Sequence, residues 1–200
     1  MLLVLVSSFT ILHMNPNYKI PMYHNCQFKN DDTLEKIKTK VPFLSRENNQ
    51  WLTQGYYFWA SKKDAIRWNL QYPRTIVSEF LCTFEDDSYL YDLVGNSDHI
   101  DHFNAVAHFL VESKIIPKSD LTISGVIAYL RNKHKVTPDD VFKDTAIKAS
   151  HSVMKSFPFI QCRVERLHFL NKQQFCIFEN RKDFVKLELK NCYENKSAND

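Results

Sequence analysis

Glycine is nearly absent from this chain, at three residues in 200. No G-x-G-x-x-G is present, which argues against a dinucleotide-binding parallel α/β domain. Cysteine is sparse and unpatterned. Cys26, Cys82, Cys162, Cys176 and Cys192 are odd in number, widely spaced and free of any C-x-x-C. That excludes a disulfide framework and a cysteine-built zinc site, and implies a reduced, cytoplasmic protein. A dominant charge is also missing. The net charge is +3 and the pI about 8.5, below the value above about 9 expected of a dedicated nucleic-acid binder. The apolar N-terminal run MLLVLVSSFTILHM is too short to span a bilayer and has neither a basic n-region nor a small-residue cleavage site. It reads as a buried strand or as residues upstream of a start at Met14. No repeat or low-complexity block occurs.

What is present is apolar and aromatic: 44% hydrophobic residues, fifteen Phe and nine Tyr. The length and composition suit one globular domain over residues 1–200. YKIPMYHNC alternates as a strand with Tyr18, Ile20, Met22 and His24 on one face, and Pro21 places it at a sheet edge. DDTLEKIKTKV is a short helix with acids at its start and lysines at its end. Residues 52–59 read as a strand, followed by a helix from Ser61 capped by a Ser61–Asp64 box. RTIVSEFLCTFE and SYLYDL are strands. Residues 98–150 read as a helical insert of three helices, the last opening at Thr137 and Pro138. FPFIQCRVERLHF, QQFCIFE and FVKLELK return to strands, and residues 191–200 read as a disordered tail. Strands, then helices, then strands predict an α+β fold.

The stretch TQGYYFWASKKDAIRWN places one of the three glycines among aromatics, directly before a capped helix. Parity puts Leu52, Gln54, Tyr56 and Phe58 on one face and Thr53, Gly55, Tyr57 and Trp59 on the other. The adjacent tyrosines therefore point oppositely, one to core and one to a cleft. Gly55 lets a flat ligand or another backbone approach closely. Trp68, on the following helix, is positioned to face the strand aromatics across a slot.

In order along the chain, YHNC, GYYFWASKKDAIRW and QQFCIFENRKDF resemble the three-part signature of ADP-ribosyltransferases of the diphtheria-toxin and poly(ADP-ribose) polymerase type. The resemblance spans residues 18–189. It implies a split β-sandwich around a cleft, NAD as co-substrate and no metal. It carries the family's histidine onto His24, to bond a ribose hydroxyl, and its tyrosine onto Tyr57, to stack on nicotinamide. The second aromatic falls on Trp68 and the late catalytic position on Gln174. Asn25 stands where the family has glycine, its backbone available to the nicotinamide amide. Breaking the nicotinamide–ribose bond passes through an oxocarbenium-like centre. Gln174 replaces the usual glutamate and cannot act as a base or carry charge, which favours transfer of a single ADP-ribose. The acceptor implied is macromolecular, RNA, DNA or protein. The role implied is a toxin or effector of a bacterial toxin–antitoxin or anti-phage system, with an antitoxin as a partner and no membrane. A glycohydrolase, or a non-catalytic module binding NAD or nucleic acid, are the alternatives.

Three other constellations stand beside this one. His99, His102 and His108 have helical spacing that would suit a metal, against a plain helix start rich in acids. Cys26 and His24 share parity, as a thiol–imidazole pair requires. Lys62, Lys63, Arg67, Arg74, Lys133 and Lys135 are phosphate-binding candidates or a solvated surface, and Arg163 and Arg166 alternate near the cleft.

Overall fold

The computed structural model describes residues 17–29, 32–47, 50–151, 155–158, 166–169 and 172–196. The elements are β1 (Lys19–Gln27), α1 (Leu34–Lys38), β2 (Leu44–Ser45), β3 (Gly55–Trp59), α2 (Lys62–Trp68), β4 (Arg74–Phe84) and β5 (Leu90–Asp92). They continue with α3 (Ser97–Glu112), α4 (Ile123–Val136), β6 (Ala146–Ser150), β7 (Lys155–Pro158), β8 (Arg166–Phe169), β9 (Gln173–Phe178) and β10 (Val185–Lys196). The fold is α+β: helices pack on a mixed eight-stranded sheet of order β10-β4-β1-β3-β9-β6-β5, with β2 added beside β3. All its pairings are antiparallel except β5 with β6. β7 and β8 form a separate hairpin. No helix among the described residues is long and apolar enough to cross a membrane.

The sheet is weakest at one seam. β1 is matched to β4 along its whole length, from Lys19 to Gln27. Against β3 it is matched at a single pair, Tyr23 with Trp59. Beyond that pair β3 takes its hydrogen bonds from β2, through Leu44 and Ser45. The end of β1, from His24 to Gln27, therefore stands apart from β3, and the seam opens into a gap.

Two apolar layers flank the sheet. On one face Met22, Phe58, Phe80, Phe84, Phe175 and Ile177 form a core that crosses the seam. On the other, Tyr91, Leu110, Ile127, Leu130, Phe142 and Phe178 pack beneath α3 and α4. α2 covers Trp59 and Val77 with Ala65, and α1 covers Ile76 and Cys192 with Ile37. The predicted Ser61 cap is present, and Thr33 caps α1 in the same way. Thr33 Oγ1 accepts from Lys36 N at 3.2 Å, and Ser61 Oγ accepts from Asp64 N at 3.1 Å.

Gly55 answers to another backbone and not to a ligand. A Cβ there would lie 2.5 Å from Cys176 Sγ and 2.6 Å from the Ile177 carbonyl oxygen. β3 and β9 can approach this closely only because the residue has no side chain.

Four expectations are corrected. β1 is an internal strand, and Pro21 is tolerated there because β3 ends at Trp59, opposite Tyr23, and leaves Pro21 no partner on that side. The helix expected from Thr137 is absent. Thr137 caps the end of α4, and Asp139 Oδ1 then accepts from Val141 N and Phe142 N, turning the chain into β6. Phe142 is buried at that turn, and the alternating AIKAS run fills the sheet between β9 and β5. The helical part of the insert is thus Ser97–Val136, and residues 146–150 belong to the sheet. The strand expected over 52–59 begins at Gly55, because Thr53, at φ 71°, turns the chain. Residues 191–196, expected as tail, continue β10 along β4 as far as Lys196 opposite Arg74. The N-terminal run, residues 1–16, together with Cys162, Arg163 and the Arg166 side chain, lies outside the described residues.

Candidate active site in the opened seam

The gap between β1 and β3 is a cavity of about 820 Å³, lined by His24, Asn25, Tyr57, Trp68 and Gln174 among others. Small-molecule sites span roughly 300–1,000 Å³. His24 and Tyr57 belong to opposite faces of the sheet, because Tyr23 stands directly opposite Trp59 and side chains alternate on each strand. They reach one cavity only because the strands part there.

His24 is 7% exposed and bridges the gap. Its Nδ1 donates to the Tyr57 carbonyl oxygen at 2.9 Å, and its Nε2 accepts from the Phe43 backbone N–H at 3.3 Å. A carbonyl only accepts and an amide only donates, so this pair of partners specifies the neutral tautomer with hydrogen on Nδ1. Burial lowers its pKa below the ordinary histidine value, and the carbonyl bond opposes this more weakly.

Tyr57 lines the cavity, while its neighbour Tyr56 packs into the seam-crossing core, as parity requires. Its hydroxyl turns away into the preceding turn. It donates to the Thr53 carbonyl oxygen at 2.7 Å and accepts from Leu52 N at 3.0 Å. Burial raises the phenol far above its usual range. A β-branched residue in the left-handed region is strained by about 1–3 kcal/mol, and these two bonds hold Thr53 there.

Gln174 opens β9 beside Trp59 and Ala149 and is 6% exposed. Its Oε1 accepts from the Trp51 indole Nε1–H at 2.7 Å. Its face is not open along the strand. Cys176 and Phe178, which share it, are fully buried under the helices, so on this face of β9 Gln174 alone reaches the cavity. Asn25 ties β1 to α2: its Nδ2 donates to the Ala65 carbonyl oxygen and its Oδ1 accepts from Asn69 Nδ2, both at 2.7 Å. Trp68 is 55% exposed and leans on the buried Trp59, ring centroids 5.2 Å apart.

All three tryptophans of the chain, Trp51, Trp59 and Trp68, line the cavity. Sequence reasoning grouped Trp59 with Tyr57 by parity but missed Trp51, which sits in a turn with no periodicity. The rarity of the residue type was its only signal. His151, whose ring meets Trp51 edge-on at 5.3 Å, and Phe43 were missed too, because both follow from the tertiary fold. Lys29, Lys40, Asp32 and Glu47 place charges of both signs on the rim.

The competing constellations are otherwise engaged. His99 Nδ1 accepts from Asp92 N at 2.9 Å, and His102 Nδ1 meets the Tyr91 hydroxyl at 2.8 Å. Among the described residues no group of three or more His, Cys, Asp or Glu is arranged to hold a metal ion. Burial pushes the Cys26 thiol up to about 12, the opposite of what a nucleophile requires. Of the basic candidates, Lys62 sits over the Tyr193 ring at 3.6 Å, and Arg74 pairs with Glu194 at 2.7 Å.

No protein-family model, no curated protein and no solved structure matches the chain.

Proposed function

We propose that this chain is an ADP-ribosyltransferase that binds NAD in the seam cavity and transfers one ADP-ribose to a macromolecular acceptor, releasing nicotinamide. One observation carries the reading. The three residues on which the resemblance rests, His24, Tyr57 and Gln174, come from three strands and two faces of the sheet, yet line the same cavity. The cavity has the size of a small-molecule site, and Trp51, Tyr57, Trp59 and Trp68 in its lining offer flat surfaces to a base or a nicotinamide ring.

NAD supplies the scissile nicotinamide–ribose bond. The residues hold and orient. The Tyr57 ring is the stacking surface. His24 is kept neutral and meets a ribose hydroxyl at Nε2 by exchanging the longer of its two bonds, that from Phe43 N. Gln174 contributes an amide and no charge, so catalysis here is positioning. An amide at this place activates no weak nucleophile, which favours single transfer to an acceptor that needs little help. The exposed Trp68 and the charged rim lie where such an acceptor would meet the cleft. The role as a cytoplasmic toxin or effector of a bacterial toxin–antitoxin or anti-phage system, with an antitoxin partner, follows from the resemblance.

The test uses purified protein, cell lysate and NAD labelled on the adenylate phosphate, with label and nicotinamide followed together. Label removed by nuclease identifies a nucleic-acid acceptor, and label removed by protease a protein acceptor. Nicotinamide release without retained label means hydrolysis. Folded protein that neither binds NAD nor releases nicotinamide refutes the proposal.

A further inference from the structure

We infer that Trp51 is the positioning residue of the seam cavity: it locks the Gln174 amide in one sense, carbonyl toward the 50–54 turn, so that Gln174 meets its ligand through N–H donors. The catalytic consequence rests on the NAD reading above; the lock itself does not.

The chemistry of the two groups dictates the sense of the contact. An indole N–H donates and never accepts, so the atom 2.7 Å from Trp51 Nε1 has to be the carbonyl oxygen of Gln174. An unheld amide can turn over and present either function. This one cannot without leaving a part-buried indole N–H unpaired, which costs more than an ordinary hydrogen bond gains. The polar function left to the amide is chiefly its NH₂ group. The ligand atom recognised at this end of the cavity is therefore an acceptor, the lone pair of a hydroxyl or carbonyl oxygen.

Trp51 can do this because it is itself held. Leu52, its neighbour, is fully buried, and its N–H is bound by the Tyr57 hydroxyl. Thr53 N donates to the Gln50 carbonyl oxygen at 3.1 Å, closing the turn. The His151 ring braces the indole from the side. The Tyr57 hydroxyl, the turn, the Trp51 indole and the Gln174 amide thus form one chain of contacts across the cavity wall. A side chain held this way loses little freedom when a ligand arrives.

The lock predicts a particular non-additivity. A carboxylate has two equivalent oxygens and no sense to be fixed, so the loss of Trp51 removes a hydrogen bond from it but not an orientation. In the wild-type background Trp51→Phe should lower nicotinamide release at saturating NAD about tenfold, with KM within about threefold. In a Gln174→Glu background, where no orientation is at stake, the same substitution should lower release by a factor at least about threefold smaller than in the wild type. A Trp51 that merely supports the turn would cost the same in both backgrounds, and that result overturns the inference.

The lock is also read without NAD, on the full-length protein, by ¹⁵N–¹H spectroscopy. The indole N–H resonance of Trp51, identified by its loss in Trp51→Phe, should move upfield and exchange with solvent at least about tenfold faster in Gln174→Ala. The Gln174 side-chain amide signals should move in Trp51→Phe. If neither moves, the contact is absent and the inference fails. If they move but wild-type protein does not bind NAD, the lock stands and the NAD reading falls.

Discussion

Replacing Gly55 with alanine tests the architecture that opens the cavity. The added Cβ would lie 2.5 Å from Cys176 Sγ and 2.6 Å from the Ile177 carbonyl oxygen, against the roughly 3.5–4.0 Å of an ordinary carbon contact. Sulfur can rotate away; the carbonyl is part of a strand and cannot. β9 must retreat by about 1 Å from the β3 strand it pairs with over five residues, Gly55–Trp59. Overpacking of this kind costs about 1–3 kcal/mol, and stretched ladder bonds add about 0.5–1.5 kcal/mol each. Loss of glycine's chain entropy returns about 0.4–1 kcal/mol. The net expectation is destabilisation of about 2–4 kcal/mol. With a urea slope of about 2 kcal/mol per molar, the midpoint should fall by about 1–2 M. Equilibrium unfolding followed by tryptophan fluorescence measures it, and the three tryptophans around the seam report on the affected region. A midpoint equal to or above that of the wild type would refute the reasoning, because β3 and β9 would then not be in contact at Gly55.

Two further outcomes follow from the site. Tyr57→Phe keeps the ring and removes the hydroxyl that binds Leu52 N and Thr53 O. Leaving buried polar groups unmet costs about 1–3 kcal/mol each, so the protection of the Leu52 amide against hydrogen exchange should fall at least about thirtyfold; unchanged protection would show that the hydroxyl does not hold the turn. Stability should also fall on acidification below pH 6.5. Burial lowers the folded pKa of His24, and of His99, below the ordinary value of 6.5. The unfolded chain therefore takes up protons first, and the stabilisation present above pH 6.5 is lost as pH drops toward the folded values. Urea midpoints at pH 7.5 and 5.5 measure the slope, which should lessen in His24→Asn; the same slope in both proteins would contradict the assignment of His24 as buried and neutral.

The Ser61 cap, the opposite aims of Tyr56 and Tyr57, and the strands around His24, Tyr57 and Gln174 were legible because local chemistry decides them. A cap needs a hydroxyl and an acid three residues on, and alternation needs only extended backbone. The errors fell where distant residues decided. TPDDVFKD has a helix-start signature, but Asp139 spends its carboxylate on the turn at Val141 and Phe142, and burial of Phe142 favours a strand next. NCYENK is polar enough to read as tail, yet β4 offers it a free edge. Pro21 reads as an edge residue, yet it sits in an internal strand because the neighbouring β3 stops at Trp59.

The sequence by itself determined the α+β class and the capped helix after Trp59, because these rest on residue type and period; it offered His24, Asn25, Tyr57, Trp68 and Gln174 as candidates through the resemblance of its motifs. Only the tertiary structure decided that β1 and β3 part after one matched pair. From that parting follow the cavity and the setting of His24, while the fold separately brings Trp51 onto Gln174. Each depends on contacts between residues far apart in the chain, which no local pattern encodes.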